Sequence, residues 1–300
     1  MARNRSRHLL LVATVLLADL VLAQSVPEHP SETAQQKTIG FSVNPNGDYT
    51  IFDPISNKPI LHSPVAVEID HHWLRSSDYP QHSFNRETVA DEFESGTKWT
   101  VSNTGLRGLP DLIYSLELHG GPDFVIITVT VRNRGSNPII VQALRPVEAL
   151  GPAIADLGGP DVSDRVLSDS FSEDRPALKI HDLADLAMHR GVGSQLLYNR
   201  QSKRNLFLGT LTSDKFLTIL RLHVQQDHIT SYEVDSAGTT ELSKENSLEK
   251  SPVEDQIELS QPVPPGSELS SERRPVSLHP VRPAGGVGLL TISGSIRARL

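Results

Sequence analysis

The sequence predicts an all-β protein built as one large antiparallel β-sandwich. Short runs rich in Val, Ile, Thr, Tyr and Phe recur through most of the chain, and many alternate with period two, as a strand does with one face in a core. Clusters of Gly, Pro, Asn, Asp and Ser separate the runs and supply the turns. No strand–helix–strand alternation interrupts them, which argues against a doubly wound sheet or a βα barrel in this chain.

The elements follow in order. Residues 1–23 carry Arg3, Arg5 and Arg7, then an apolar run broken by Asp19 and ending at Ala23, the layout of a secretory signal peptide. The run is shorter than the roughly 20 residues a span needs, so cleavage is expected rather than a retained anchor, with no stable membrane span afterwards. Residues 24–37 are polar and contain Pro, a linker. TIGFSV and YTIFD flank NPNGD, whose Asn46-Gly47 supplies the positive φ of a tight hairpin. SPVAVEID, ETVADEFES, TKWTVSNT and DLIYSLELH follow as strands. In FVIITVTVRN, Val125, Ile127, Val129 and Val131 face one way and Ile126, Thr128 and Thr130 the other. PIIVQALRPV comes next. In LKIHDLADLAMHR, Leu183, Leu186 and Ala187 sit at i, i+3, i+4, which predicts one short helix near residues 180–190. SQLLYNR, NLFLGTLT, FLTILRLHV, ITSYEVD and DQIELSQPV complete a sandwich domain over residues 38–265. Residues 266–272 read as a linker at a domain edge.

The last 28 residues differ from the rest. From residue 273 to 300 there is no Asp, Glu, Lys or aromatic side chain, but there are five Arg, three Pro and four Gly. This tail is expected to be disordered.

The 300 residues are 37% hydrophobic, enough for a sizeable core. There is no cysteine, so a secreted form stands on its core without disulfides, and there is no thiolate nucleophile. Loss of residues 1–23 removes three Arg and one Asp and leaves 25 basic against 35 acidic side chains. A surface this acidic excludes nucleic acid as a partner. The predicted location is secreted or periplasmic, in a bacterium.

Candidate chemistry is sparse. DHHWLRSSDYPQH holds Asp70, His71, His72 and His82, but adjacent His residues on a strand face opposite ways and the spacing matches no metal motif. Asp156, Asp161, Asp164, Asp169 and Asp174 are oxygen donors of the kind calcium takes, yet they lie outside the spacing of a calcium loop. GVGSQ lacks the glycine that completes a nucleophile elbow, and there is no G-x-G-x-x-G or P-loop. No catalytic residue, metal ligand set or cofactor is predicted. Trp73, Tyr79, Trp99 and Tyr114 have apolar ring faces that could stack on sugars or fill a core. Trp73, in a polar setting, and Tyr79 beside it are the predicted carbohydrate contacts.

Several segments together resemble the N-terminal β-sandwich region of glycoside hydrolase family 36, the α-galactosidase and raffinose-synthase-like enzymes. They are ESGTKWTVSNTGLRGLPDLIYSLELH, FVIITVTVRNRGSNPIIVQALRPVEALG, RVLSDSFSEDRPAL and HRGVGSQLLYNRQSKRNLFLGTLTSDKFLTILRL, and the likeness runs from about residue 38 to 272. It implies a supersandwich-like domain that precedes a (β/α)₈ barrel. In that family the barrel holds the chemistry: one Asp attacks the anomeric carbon and another protonates the leaving oxygen, with retention. The nucleophile lies in a Lys-x-Asp motif, and none of the eight Lys residues here is followed two positions later by Asp.

The resemblance therefore implies a non-catalytic sandwich fragment of a secreted α-galactosidase-like hydrolase, inactive alone. Galactoside would be the partner of the absent barrel, and the sandwich would offer a wall for it, a homo-oligomer contact or an edge of the sugar cleft. The tail is then read as a frameshifted end, because GC-rich codons in a wrong frame yield Arg, Pro, Gly and Ala. A natural basic tail that meets an acidic partner is the other reading. The alternative for the whole chain is a stand-alone secreted carbohydrate-binding or adhesive sandwich.

Overall fold

The computed structural model describes residues 32–121, 123–150, 154–168, 179–212, 216–237 and 261–280. In chain order the strands are β1 (Glu32–Gln35), β2 (Gly40–Val43), β3 (Tyr49–Asp53), β4 (Lys58–Ser63), β5 (Ala66–Ile69), β6 (His72–Arg75), β7 (Gln81–Asp91), β8 (Glu94–Thr104), β9 (Asp111–His119), β10 (Val125–Arg132) and β11 (Ile139–Leu150). They continue with β12 (Asp164–Ser168), β13 (Lys179–Asp182), β14 (Met188–Val192), β15 (Ser194–Asn199), β16 (Arg204–Gly209), β17 (Leu217–Gln225), β18 (His228–Ala237), β19 (Gln261–Val263), β20 (Glu268–Ser270) and β21 (Arg274–Pro280). The only helical pieces among the described residues are three single 3₁₀ turns, so the all-β reading holds.

Three antiparallel sheets share one apolar core. Strands β1 to β4 form a four-stranded meander. A ten-stranded sheet runs β13-β12-β15-β16-β21-β10-β9-β8-β7, with β20 also against β10. A seven-stranded sheet runs β14-β17-β18-β11-β5-β6, with β19 also against β11. The period-two pattern of β10 is read out as expected: Val125, Ile127, Val129 and Val131 join the core. The sheets meet through side chains of several layers. Phe41 of β2 packs edge-on against Trp99 of β8, with ring centroids 5.0 Å apart, and the Tyr49 hydroxyl of β3 donates to the Pro146 carbonyl of β11 at 2.7 Å.

Four sequence expectations are corrected. The short helix near residues 180–190 is strand, turn and strand. Asp182 and Asp185 form a capping box at the start of a single 3₁₀ turn, and β14 is drawn out by five pairs with β17. Leu183 is buried in the core while Leu186 is exposed, which a common helix face would not give. The linker before residue 38 contributes β1, paired with β2 over four residues. The Asn46-Gly47 turn is wider than a two-residue hairpin. Gly47 does take a positive φ of 82°, but the loop is closed by Asn44 N–H to the Asp48 carbonyl at 2.8 Å.

The fourth correction is the largest. The expected linker at residues 266–272 and the beginning of the tail carry strands β20 and β21 of the fold. Strand β21 lies between β10 and β16 near the middle of the ten-stranded sheet, with Val276 and Leu278 in the core. Ser271 and Glu272 are buried, and the Ser271 hydroxyl accepts from Val129 N–H at 2.9 Å. The sandwich thus extends through Pro280, and a frameshift at residue 273 does not fit a strand whose apolar period matches its two neighbours. Residues 281–300, and residues 1–23 for which a signal peptide is expected, lie outside the described residues.

Candidate functional site

The outer face of the seven-stranded sheet carries a dense charged array. Its origin is local. Strand β11 contains Arg145-Pro146 inside a mainly apolar run, and Pro cannot donate a ladder hydrogen bond, so it sits at a bulge. The register against β18 shifts between Leu144 and Val147. A bulge re-aims side chains, and here it places Arg145 and Glu148, three residues apart, on one face. Their Nη1 and Oε1 atoms are 2.9 Å apart.

Around this pair the neighbouring strands supply matching charge. Arg145 Nε donates to Asp235 Oδ1 at 2.6 Å and Nη2 to Asp235 Oδ2 at 3.1 Å, a bidentate pair across β11 and β18. Glu233 of β18 lies 3.5 Å from Arg145 Nη2. Arg221 of β17 donates to Asp235 Oδ2 at 2.6 Å, and Arg75 of β6 donates to both Glu148 oxygens at 2.5 and 2.9 Å. Arg145, Glu148 and Asp235 are 8%, 2% and 3% exposed, so these charges interact with little solvent screening. Burial alone would lower the Arg145 pKa, and Asp235, Glu233 and Glu148 more than reverse this, so the guanidinium remains charged.

Trp73 completes the array. It stands on β6 opposite Glu68 of β5, half-buried, with the Arg145 guanidinium 3.8 Å from its ring centroid. Its polar setting is a strand. The hairpin turn before it is Asp70-His71, at φ 50° and 62°, and His72 is the first residue of β6, so the adjacent His residues divide between a turn and a strand. Tyr79 does not share this face. It is 3% exposed, part of the core, and donates its hydroxyl to the Pro110 carbonyl at 2.9 Å. That sequence expectation is corrected: Tyr79 presents no ring face to a ligand. Burial, with Asp111 and Asp78 nearby, pushes its pKa well above the usual range.

A second cluster lies at the far end of β9. His119, fully buried, sets Nε2 3.3 Å from Glu117 Oε2 and Nδ1 3.4 Å from Asp91 Oδ1. Asp91, Glu117 and His119 are the described residues grouped closely enough to hold a cation, their ligand atoms lying within 4.8 Å of one another. Two features oppose a metal. The ring nitrogens face different carboxylates, and a bound ion could take only one of them. Arg273 already bridges the acids, with Nη2 at 2.7 Å from Asp91 and 3.0 Å from Glu117. Of the aspartates weighed for calcium, Asp164 accepts from Asn199 Nδ2 at 2.7 Å, while Asp169 and Asp174 lie outside the described residues.

Sequence reading missed Arg145, Glu148, Glu233, Asp235 and Arg221. One signal for them was present: a charged pair flanking Pro within an apolar strand, in QALRPVEAL.

No family model matches the chain, and no curated protein matches it in sequence. In fold it is similar to an α-galactosidase from Lactobacillus brevis, 10% identical with a TM-score of 0.51, covering 84% of this chain and 40% of that one. It is similar to the galactosidase domain of the α-galactosidase–sucrose kinase AgaSK at 9% identity and a TM-score of 0.54, covering 83% of this chain and 40% of that chain. The family 36 α-galactosidase AgaB of Geobacillus stearothermophilus gives 8% identity and a TM-score of 0.52, covering 85% and 40%. The chain thus spans 40% of the length of each of these three chains, and the likeness is one of fold.

Proposed function

We propose that this chain is a non-catalytic, carbohydrate-contacting sandwich allied to that of family 36 α-galactosidases, secreted by way of its N-terminal segment, and that the protein it serves acts on α-galactosides with retention. The observation that carries the reading is the charged face around Trp73, set on a fold shared with α-galactosidases. Carboxylates and guanidinium groups offer the acceptors and donors that sugar hydroxyls pair with, and an indole offers an apolar face for a sugar ring. The array has no nucleophile and acid pair free to act, because each of its buried carboxylates is held by an arginine.

The purified chain is expected to release no nitrophenol from p-nitrophenyl α-galactoside. Turnover above the solvent rate, lost on substitution of Glu148 or Asp235, would overturn the non-catalytic reading. Secretion is checked by fractionating expressing cells, and cytosolic retention of the intact chain counts against it. The second reading, a free-standing sugar-binding sandwich, rests on the same Trp73 face. It differs in requiring no catalytic partner for affinity.

A further inference from the structure

A separate cleft lies between the end of β1 and the β7–β8 hairpin. Its volume is about 530 Å³, inside the range of about 300–1,000 Å³ common for small-ligand sites. Trp99, Gln36, Arg86, His119, Ser95 and Thr97 are in its wall. Two polar atoms of this wall are buried without a hydrogen-bond partner: the indole Nε1 of Trp99 and the amide Oε1 of Gln36. The amide orientation is fixed, since Gln36 Nε2 donates to the His119 carbonyl. Oε1 is therefore the atom left over. A buried donor or acceptor with no partner costs about 1–3 kcal/mol, and a native fold keeps few of them. Here the residues that carry an orphan donor and an orphan acceptor line one cleft.

Their chemistry selects the ligand. A group that satisfies both must accept from an N–H and donate to a carbonyl. A carboxylate cannot donate, and an apolar ligand can do neither. A hydroxyl does both. The remaining wall fits a sugar: Ser95 and Thr97 add hydroxyls. The exposed Arg86, with its guanidinium 5.0 Å above the Trp99 ring, is the long flexible side chain that can swing aside to admit it.

We propose that this cleft is a binding site for a neutral sugar unit, with one hydroxyl bridging Trp99 Nε1 and Gln36 Oε1. The site is on the ten-stranded sheet and stands independently of the Trp73 face.

The chain has only two tryptophans, so each site can be read alone. In Trp73→Phe the emission and the single indole N–H resonance report Trp99. Titration of this variant with melibiose is expected to give a saturable emission change and a downfield shift of the indole N–H. Gln36→Leu in the same background should weaken the response about tenfold, the loss of one buried hydrogen bond, with the chain still folded by far-ultraviolet circular dichroism. An unchanged Trp99 signal up to the solubility of the sugar overturns the proposal. So does a response that survives Gln36→Leu undiminished, or one given equally by inorganic phosphate. The complementary variant Trp99→Phe reports Trp73. A response at Trp99 with silence at Trp73 keeps this site and removes the one proposed on the seven-stranded sheet, and the reverse result does the opposite.

Discussion

Replacing Arg145 by Met tests whether the charged face is a buried array. Met matches much of the apolar stem and removes the guanidinium. The change deletes three hydrogen bonds to carboxylates, two to Asp235 and one to Glu148, and the stacking on Trp73. Removing one partner of a buried ion pair costs about 3–5 kcal/mol, because the other charge remains behind in low dielectric. Two details set the position within that range. Glu148 keeps Arg75 and Asp235 keeps Arg221, so neither carboxylate is left wholly uncompensated. The expected loss is therefore near the lower end, about 3 kcal/mol. Urea unfolding at neutral pH, followed by far-ultraviolet circular dichroism, measures it. With a slope of about 3 kcal/mol per molar the midpoint falls by about 1 M. Arg145→Lys should lie between parent and Met, since an ammonium cannot hold Asp235 bidentately. A loss below about 1 kcal/mol, the scale of an exposed ion pair, would refute the reasoning.

Three further outcomes are expected. Burial raises the Asp164 pKa to about 7, against the opposing hydrogen bond from Asn199 and with Asp161 and Asp156 adding to the rise. The folded state then holds the proton more tightly than the unfolded chain, whose value is about 3.9. This contribution is complete below about pH 4 and is lost as pH climbs through about 7. Asp164→Asn should match the parent in acid and exceed its Tm in mild alkali, and a lower Tm there contradicts the assignment. Arg274 is fully buried, donates Nη2 to Ser236 Oγ at 2.5 Å, and has Nε and Nη1 without partners. Burial lowers its pKa to about 9, with Glu272 and Asp235 opposing. Arg274→Met should raise the urea midpoint, by about 1–3 kcal/mol of stability, and a fall in the midpoint would mean the guanidinium stabilises the core. The β17–β18 turn holds Gln226 and Asp227 at φ 51° and 64°, a conformation suited to Asn-Gly. The double change to Asn-Gly should add about 1 kcal/mol, read as a higher Tm.

The fold was legible wherever the apolar period was long. FVIITVTVRN became β10 because eight residues of alternation leave one register. The period failed where elements were short. Leu183, Leu186 and Ala187 match a helix over a single turn, and pairing with β17 outweighed that weak signal. Strand β21 was hidden because its inward set is Arg274, Val276 and Leu278, with an arginine in a core position. The lack of acids nearby then read as a change of frame rather than as a buried strand. At the site, Trp73 was readable as an aromatic among polar residues. The arginine and acids around it come from β11, β17 and β18, up to 162 residues further on in sequence. Only the sheet order brings them together. Tyr79, six residues from Trp73, looked equivalent in sequence, and the 3₁₀ turn between them sends its ring into the core.

The most direct test of the central claim is calorimetric titration of the purified chain with melibiose, repeated on Trp73→Ala. The account predicts heat of binding that Trp73→Ala diminishes while the protein remains folded. Equal heats for the two chains, or none from either, would contradict a carbohydrate-contacting face on the seven-stranded sheet.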